Sequence, residues 1–298
     1  MLAENRFLSS EQIQGVSDNQ NSKEILSQIR DLEGDEFGFW CSEEESRLFA
    51  SLELKHETPN SITHAVIDSD RSSEHPFSSI FKQLSQLGCQ AAQLRFFESS
   101  ESQKIETILE LTQKNGFTDI ELVMPSNGNS NTNIGRLLSQ RFPVLTKLIF
   151  HSASANQLLS NEKEECPIYQ ITNKINSADH CGFIHPDGFV VNKDMLELSK
   201  AHNNCLHGKL AIDINGNIKN CPAMIPSFGN VNQNKLEEVL QEAAFERLWN
   251  VGKDQISICK DCEFRYICTD CRAFISNEDD ELSKPSRCSY NPYLTKWV

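Results

Sequence analysis

The stretch CKDCEFRYICTDCRA, residues 259–273, places four cysteines in thirteen positions as two CxxC pairs, and Cys288 follows at a distance. No other feature limits the fold as much. Two residues between a pair of cysteines let the backbone curl round a metal centre and present both thiolates to it. A segment spent on such loops is not also regular helix or strand. The chain has eleven cysteines, and seven of them (Cys205, Cys221, Cys259, Cys262, Cys268, Cys271 and Cys288) lie after residue 200. One zinc takes four ligands and would leave three of the seven without a task. Two four-ligand centres need eight, so the thiols fall one short. Two iron–sulfur clusters fit if one more residue contributes or one iron stays open. Five sulfurs between 259 and 288 exceed what one zinc uses, which ranks iron–sulfur above a zinc ribbon built on the same CxxC unit.

The start, MLAENRFLSS, has neither a basic head nor an apolar run, and no apolar stretch approaches a membrane span. The reading is a cytoplasmic chain with no membrane partner, where reduced thiols argue against disulfides. A formal net charge of −14 argues against a nucleic-acid partner. The acidity gathers at 31–57 and reads as a solvated face rather than a surface for a basic peptide.

Residues 1–20 read as a frayed tail, 22–33 as a short helix and FGFW (37–40) as a short buried strand. From 61 to 150 strands alternate with helices: ITHAVIDS, PFSSIFKQLSQLG, CQAAQLRFF, QKIETILELTQKNG, DIELVMPS, NIGRLLSQRF and LTKLIFHS, with PIYQIT (167–172) as a further strand. This rhythm predicts βαβ units and a parallel sheet, either open or an incomplete barrel. GKLAIDINGNIKNC (208–221) predicts a hairpin turning at Asn215-Gly216. A strand and helix are expected at 187–200. A helix is expected over 234–249 with Leu236, Val239, Leu240, Ala243 and Leu248 inward. Cys41 and Cys89 read as core thiols. No paired-carboxylate or Ser–His–Asp constellation is supported by spacing.

Cys205, Gly216 and Cys221 in C-x10-G-x4-C, then C-x2-C-x5-C-x2-C from Cys259 to Cys271, then Cys288, resemble the SPASM domain, an auxiliary-cluster module behind many radical-SAM peptide-modifying enzymes. One departure is that the second pair usually has three intervening residues and here has two. AHNNCLHGKLAIDINGNIKNCP, CKDCEFRYICTDCRAF and YNPYLTKW resemble more narrowly the SPASM-domain peptide maturases of grasp-with-spasm systems, as do DEFGFW, ITHAVIDS and LGCQAAQLRFF.

The resemblance implies three parts: an N-terminal tail and small winged-helix-like segment (1–58), a radical-SAM-like partial (β/α) barrel (59–180) and a SPASM domain (181–298). It implies two [4Fe–4S] clusters, one on Cys259, Cys262, Cys268 and Cys288, the other on Cys205, Cys221 and Cys271. For the missing ligand, Cys181 is taken ahead of His202, and an open iron third; Cys181 also reads as a buried strand thiol. It further implies a precursor peptide and an ATP-grasp enzyme as partners. A radical-SAM enzyme needs C-x3-C-x2-C after its first strand, and no cysteines in this sequence form that triplet. Three readings follow: an iron–sulfur accessory to peptide maturation, an enzyme acting directly through an open cluster site, or a structural zinc-binding adaptor.

Overall fold

The alternation between 61 and 150 becomes a parallel sheet. The structure, a computed structural model, describes residues 39–48, 56–161 and 164–297, with scattered residues between 27 and 35. Strands β1 (His64–Ser69), β2 (Ala91–Phe96), β3 (Asp119–Pro125) and β4 (Leu145–His151) pair in sequence order, all parallel. Helices α1 (Phe77–Gln86), α2 (Ser102–Lys114) and α3 (Asn131–Arg141) make the crossovers. Beyond β4 lie the parallel strand β6 (Ile168–Gln170) and an antiparallel edge strand β5 (Gln157–Leu158). The eight-stranded order β5-β6-β4-β3-β2-β1-β7-β8 has two edges, so the sheet is open rather than closed.

The expected hairpin forms from β7 (Lys209–Ile212) and β8 (Ile218–Lys219), antiparallel to each other. Its place was not legible in the sequence: β7 pairs in parallel with β1 and extends the main sheet. Leu210, Ala211 and Ile212 are all buried, and β1 had a free edge to bury them against.

The two faces of the sheet differ because side chains alternate along each strand. Ile67, Leu94, Leu122 and Leu148 line one face in register, all buried. That face carries the helices: a Cβ on Gly135 of α3 would stand 3.2 Å from Leu148 Cδ2. Their apolar stripes (Phe77, Ile80, Phe81 and Leu84 on α1; Ile105, Ile108, Leu109 and Thr112 on α2) are buried as the period required. The other face mixes Val66, Val123 and Ile149 with paired polar side chains. Gln93 donates to Glu121 at 2.8 Å, Lys147 pairs with Glu121, and Arg95 holds Asp68 through two bonds of 2.6 and 2.7 Å.

Contact density divides the chain at 54/55. In the first unit, Ser42 caps the one-turn helix Glu43–Ser46 in a capping box with Glu45. The tail and most of the 22–33 helix lie outside the described residues. Of FGFW, Phe39 and Trp40 are described; they are 66% and 57% exposed and form no strand, so the expected buried strand is not formed there. Cys41 is half-buried, whereas Cys89 is a core thiol as expected.

Two elements of the second unit depart from expectation. Between 187 and 200 the helix α4 (Lys193–Ala201) forms, but a 3-10 turn, Pro186–Gly188, stands where a strand was expected. The 234–249 helix is broken into α5 (Leu236–Leu240), α6 (Ala243–Glu246) and a 3-10 turn, Arg247–Asn250. Ala243 is exposed and Phe245 is buried instead. In an unbroken helix Phe245 would point about 180° from Leu236, so one helix cannot bury both stripes. The break lets both face inward.

Candidate metal centres

Asn203 builds the first centre from the sequence upward. Its side-chain oxygen accepts from the backbone N–H groups of Cys205 (3.0 Å) and Leu206 (2.9 Å), capping the turn that presents Cys205 just before β7. Lys209, the first residue of β7, lies on the mixed face with His64 and donates to Cys205 Sγ at 3.1 Å. Cys221 follows β8, where Asn220 anchors the chain to the Phe245 carbonyl at 2.8 Å. Cys271 comes from the second CxxC pair.

Cys181 joins these three although it is distant in sequence. Its thiol donates to the Ala178 carbonyl at 3.5 Å; the neighbouring Cys221 eases ionisation of Cys181, while Cys181 and burial push Cys221 up. The charges of Cys271 and Cys205 oppose ionisation of Cys181, and those of Cys205 and Cys221 oppose ionisation of Cys271. Two features hold the Cys181 loop there. Gly182 has φ +75°, and a Cβ at that position would lie 2.8 Å from Cys271 Sγ. Arg287 donates to the carbonyls of Asp179 (2.5 Å) and Cys181 while its guanidinium stands 3.5 Å over the Phe274 ring.

His202 is engaged elsewhere. Its ring stacks on His207 at 3.8 Å and its Nδ1 meets Asn250 Oδ1 at 3.0 Å, with His56 edge-on at 6.0 Å.

The second group is Cys259, Cys262, Cys268 and Cys288, which line one cavity with Lys253, Ile184 and Tyr290. Short turns position them: the Cys262 N–H reaches the Cys259 carbonyl at 3.0 Å, and the Cys268 N–H reaches the Phe264 carbonyl at 3.0 Å. Ile258, immediately before Cys259, has φ +68°, a costly conformation for a β-branched residue. Lys253 donates to Cys268 Sγ at 2.5 Å and to the Thr269 carbonyl at 3.2 Å. Burial pushes the Cys259 thiol up to about 12, with Lys253 pulling the other way. Burial also raises Cys262, Cys268 and Cys271. Metal ligation would deprotonate these thiols and release protons.

Both lysines keep their protons more tightly than usual. Burial pushes each down, but the neighbouring thiols outweigh it: Cys205, Cys221 and Cys181 for Lys209, and Cys268 and Cys259, with Asp270, for Lys253. The two groups are tied together. Asn204 donates to the Cys268 carbonyl and accepts from the Asp270 N–H, both at 2.9 Å. Asp270 in turn is paired with Arg272 at 2.9 Å and bonded by Asn203 at 2.5 Å.

By residue type each set of four thiols suits an iron–sulfur centre, with one ammonium beside it that cannot itself ligate. Among the described residues no three His, Cys, Asp or Glu groups converge closely enough to hold a single metal ion. Cluster thiolates ligate separate irons and so need not converge on one point. The cavity of the second group measures about 20 Å³, room for about one water, so a multi-iron centre fits there only with the ligand loops moved outward.

Residues 205–263 match the SPASM family, described as an iron–sulfur cluster-binding domain. The match spans Cys205, Cys221, Cys259 and Cys262. A solved structure described as native anSMEcpe with bound AdoMet and Cp18Cys peptide is similar over 76% of this chain and 93% of its own, at 10% identity and a TM-score of 0.36. No curated protein matches the sequence. Among the described residues no helix is long and apolar enough to cross a membrane.

The sequence reading missed Lys209, Lys253, Gly182 and Arg287. Gly182 carried a faint signal, as a glycine directly after a candidate ligand.

Proposed function

We propose that this chain is an iron–sulfur accessory protein of ribosomal peptide maturation. It holds two [4Fe–4S] centres, one on Cys181, Cys205, Cys221 and Cys271, the other on Cys259, Cys262, Cys268 and Cys288. It binds a precursor peptide and works beside an ATP-grasp enzyme; these partners rest on the likeness of its cysteine-rich segments to grasp-with-spasm maturases. The observation that carries the reading is the match of residues 205–263 to an iron–sulfur cluster-binding domain; the cavity lined by Cys259, Cys262, Cys268 and Cys288 and the coupling of Cys181 to Cys221, Cys271 and Cys205 support it. Cys181 against Cys221 supports a closed first centre and favours the accessory role over direct chemistry at an open iron.

Anaerobic purification with iron and sulfide analysis tests this. The expected product is brown, with about eight irons per chain, and with a strong reductant it forms no 5′-deoxyadenosine from S-adenosylmethionine. Stoichiometric zinc without iron–sulfur absorbance would overturn it. Cys181→Ala converts the first centre to a three-iron or labile form, and His202→Ala leaves its spectrum unchanged. If neither changes iron content, the site is open and the enzymatic reading takes over. Pull-down with the precursor peptide and the ATP-grasp protein tests the partners; no complex with either would remove them.

A further inference from the structure

Each thiol group has one lysine against it, and the pairing is unusual for this chain. Lys209 Nζ stands 3.1 Å from Cys205 Sγ; Lys253 Nζ stands 2.5 Å from Cys268 Sγ, and Lys253 is only 3% exposed. The protein has 42 acidic residues against 28 lysines and arginines, so carboxylate partners are plentiful. Other buried or half-buried cations take them: Arg95 takes Asp68, Arg272 takes Asp270 and Lys219 takes Asp213. Among the described residues neither Lys209 nor Lys253 forms a contact ion pair with a carboxylate; the Asp270 charge acts on Lys253 from farther off and is itself paired with Arg272. Removing an ammonium from water is costly without an anionic partner, and a neutral thiol is a weak acceptor. Thiolate ligands of an anionic cluster are the partner that would compensate both.

We infer that Lys209 and Lys253 are potential-setting residues, one for each iron–sulfur centre: each fixes a positive charge on one ligand sulfur and so favours the reduced, more negative cluster. Net charge, hydrogen bonds to sulfur and burial are the levers by which a protein sets such potentials, and each lysine supplies all three at one atom. Lys209 acts on the Cys205 centre and Lys253 on the Cys268 centre. Neither is a ligand; each positions charge.

The inference rests on the two-centre reading above, and wild-type iron content separates the two failures: a wild-type protein without iron sinks the reading itself. The test is a dithionite titration of the full-length, anaerobically reconstituted protein, followed by EPR, for wild type, Lys209→Met and Lys253→Met. Each substitution should lower the potential of half of the reducible iron by at least 59 mV, tenfold for a one-electron couple, and leave the other half in place. Full iron content with both potentials unchanged overturns the inference. Where a Met variant fails to load, the arginine variants decide. Lys209→Arg and Lys253→Arg keep the charge and should restore iron and the wild-type potential. Arginine variants that stay empty, or that shift as far as methionine does, also overturn it and leave the lysines a packing role.

Discussion

The β1–β4 region and the segment from 253 to 291 are built on different physics. The first is held by apolar burial between a sheet face and three helices, with Phe150, Leu148, Leu122 and Leu94 all buried. The second has little regular structure: two 3-10 turns and the first strand of a small ribbon between Lys253 and Asn291. Its order comes from side chains gripping backbone, such as Arg272 on the carbonyls of Glu281 and Ser283. A sheet of this kind folds on its own contacts. A thiol-lined loop region gains much of its folding energy from the centre it binds. The two regions should therefore respond differently to the same insult.

Two substitutions of similar cost draw that line. Phe150→Ala empties core volume and should cost about 3–5 kcal/mol, with no dependence on whether iron is bound. Asp270→Asn leaves the buried Arg272 guanidinium without its counter-charge and should also cost about 3–5 kcal/mol. Asp270 lies between Cys268 and Cys271, and Asn203 and Asn204 bind it or its N–H. Its loss should therefore appear first as lost iron, and only then as lost stability. Iron analysis and denaturation of both variants, loaded and stripped, check this. A Phe150 variant rescued by iron, or an Asp270 variant with full iron, would erase the contrast.

A smaller effect sits at the β1 edge of the first region. His64 on β1 faces Lys209 on β7, and burial, then the Lys209 charge, holds its imidazole down at about 3. The folded state refuses a proton that the unfolded chain accepts near 6.5. This contribution is complete above pH 6.5 and is lost as pH falls from there towards 3. At pH 5 the loss is about 2 kcal/mol. Denaturation of the wild type and His64→Gln at pH 7 and pH 5 measures it. An equal acid slope in both proteins would assign the sensitivity to other groups.

What the sequence disclosed follows the same division. The apolar period placed α1, α2 and the four sheet strands because one local pattern decides each of them. It failed at 234–249, where two stripes on opposite sides of one helix had to face the same core, and it placed the β7 strand without its parallel partner β1, which lies far back in the chain. Among the thiols, spacing marked seven candidates, but the approach of Cys181 depends on Gly182 and Arg287 acting across the fold. Lys209 and Lys253 were invisible because a lysine in a sequence reads as surface by default. Only three-dimensional packing sets one against a thiol.

The smallest effect is the most specific. Gly182 needs its φ of +75°, and a Cβ there would meet Cys271 Sγ at 2.8 Å and Phe274 Cδ2 at 3.1 Å. Gly128 supplies the control: its φ is +60°, and nothing lies within 4 Å of a Cβ built there. Alanine at either position meets the left-handed penalty of about 1–2 kcal/mol. Gly182→Ala must in addition push the Cys181 loop off Cys271, because the Cβ presses on a short side chain and not on the end of a long flexible one. Both variants should lose similar, small amounts of stability in the stripped protein. Only Gly182→Ala should lose iron from the first centre, with the second centre retained. Iron stoichiometry and EPR of the two variants side by side decide it. Equal iron in both would mean that the Cys181 loop does not close on Cys271, and the first centre would then have three protein thiols and not four.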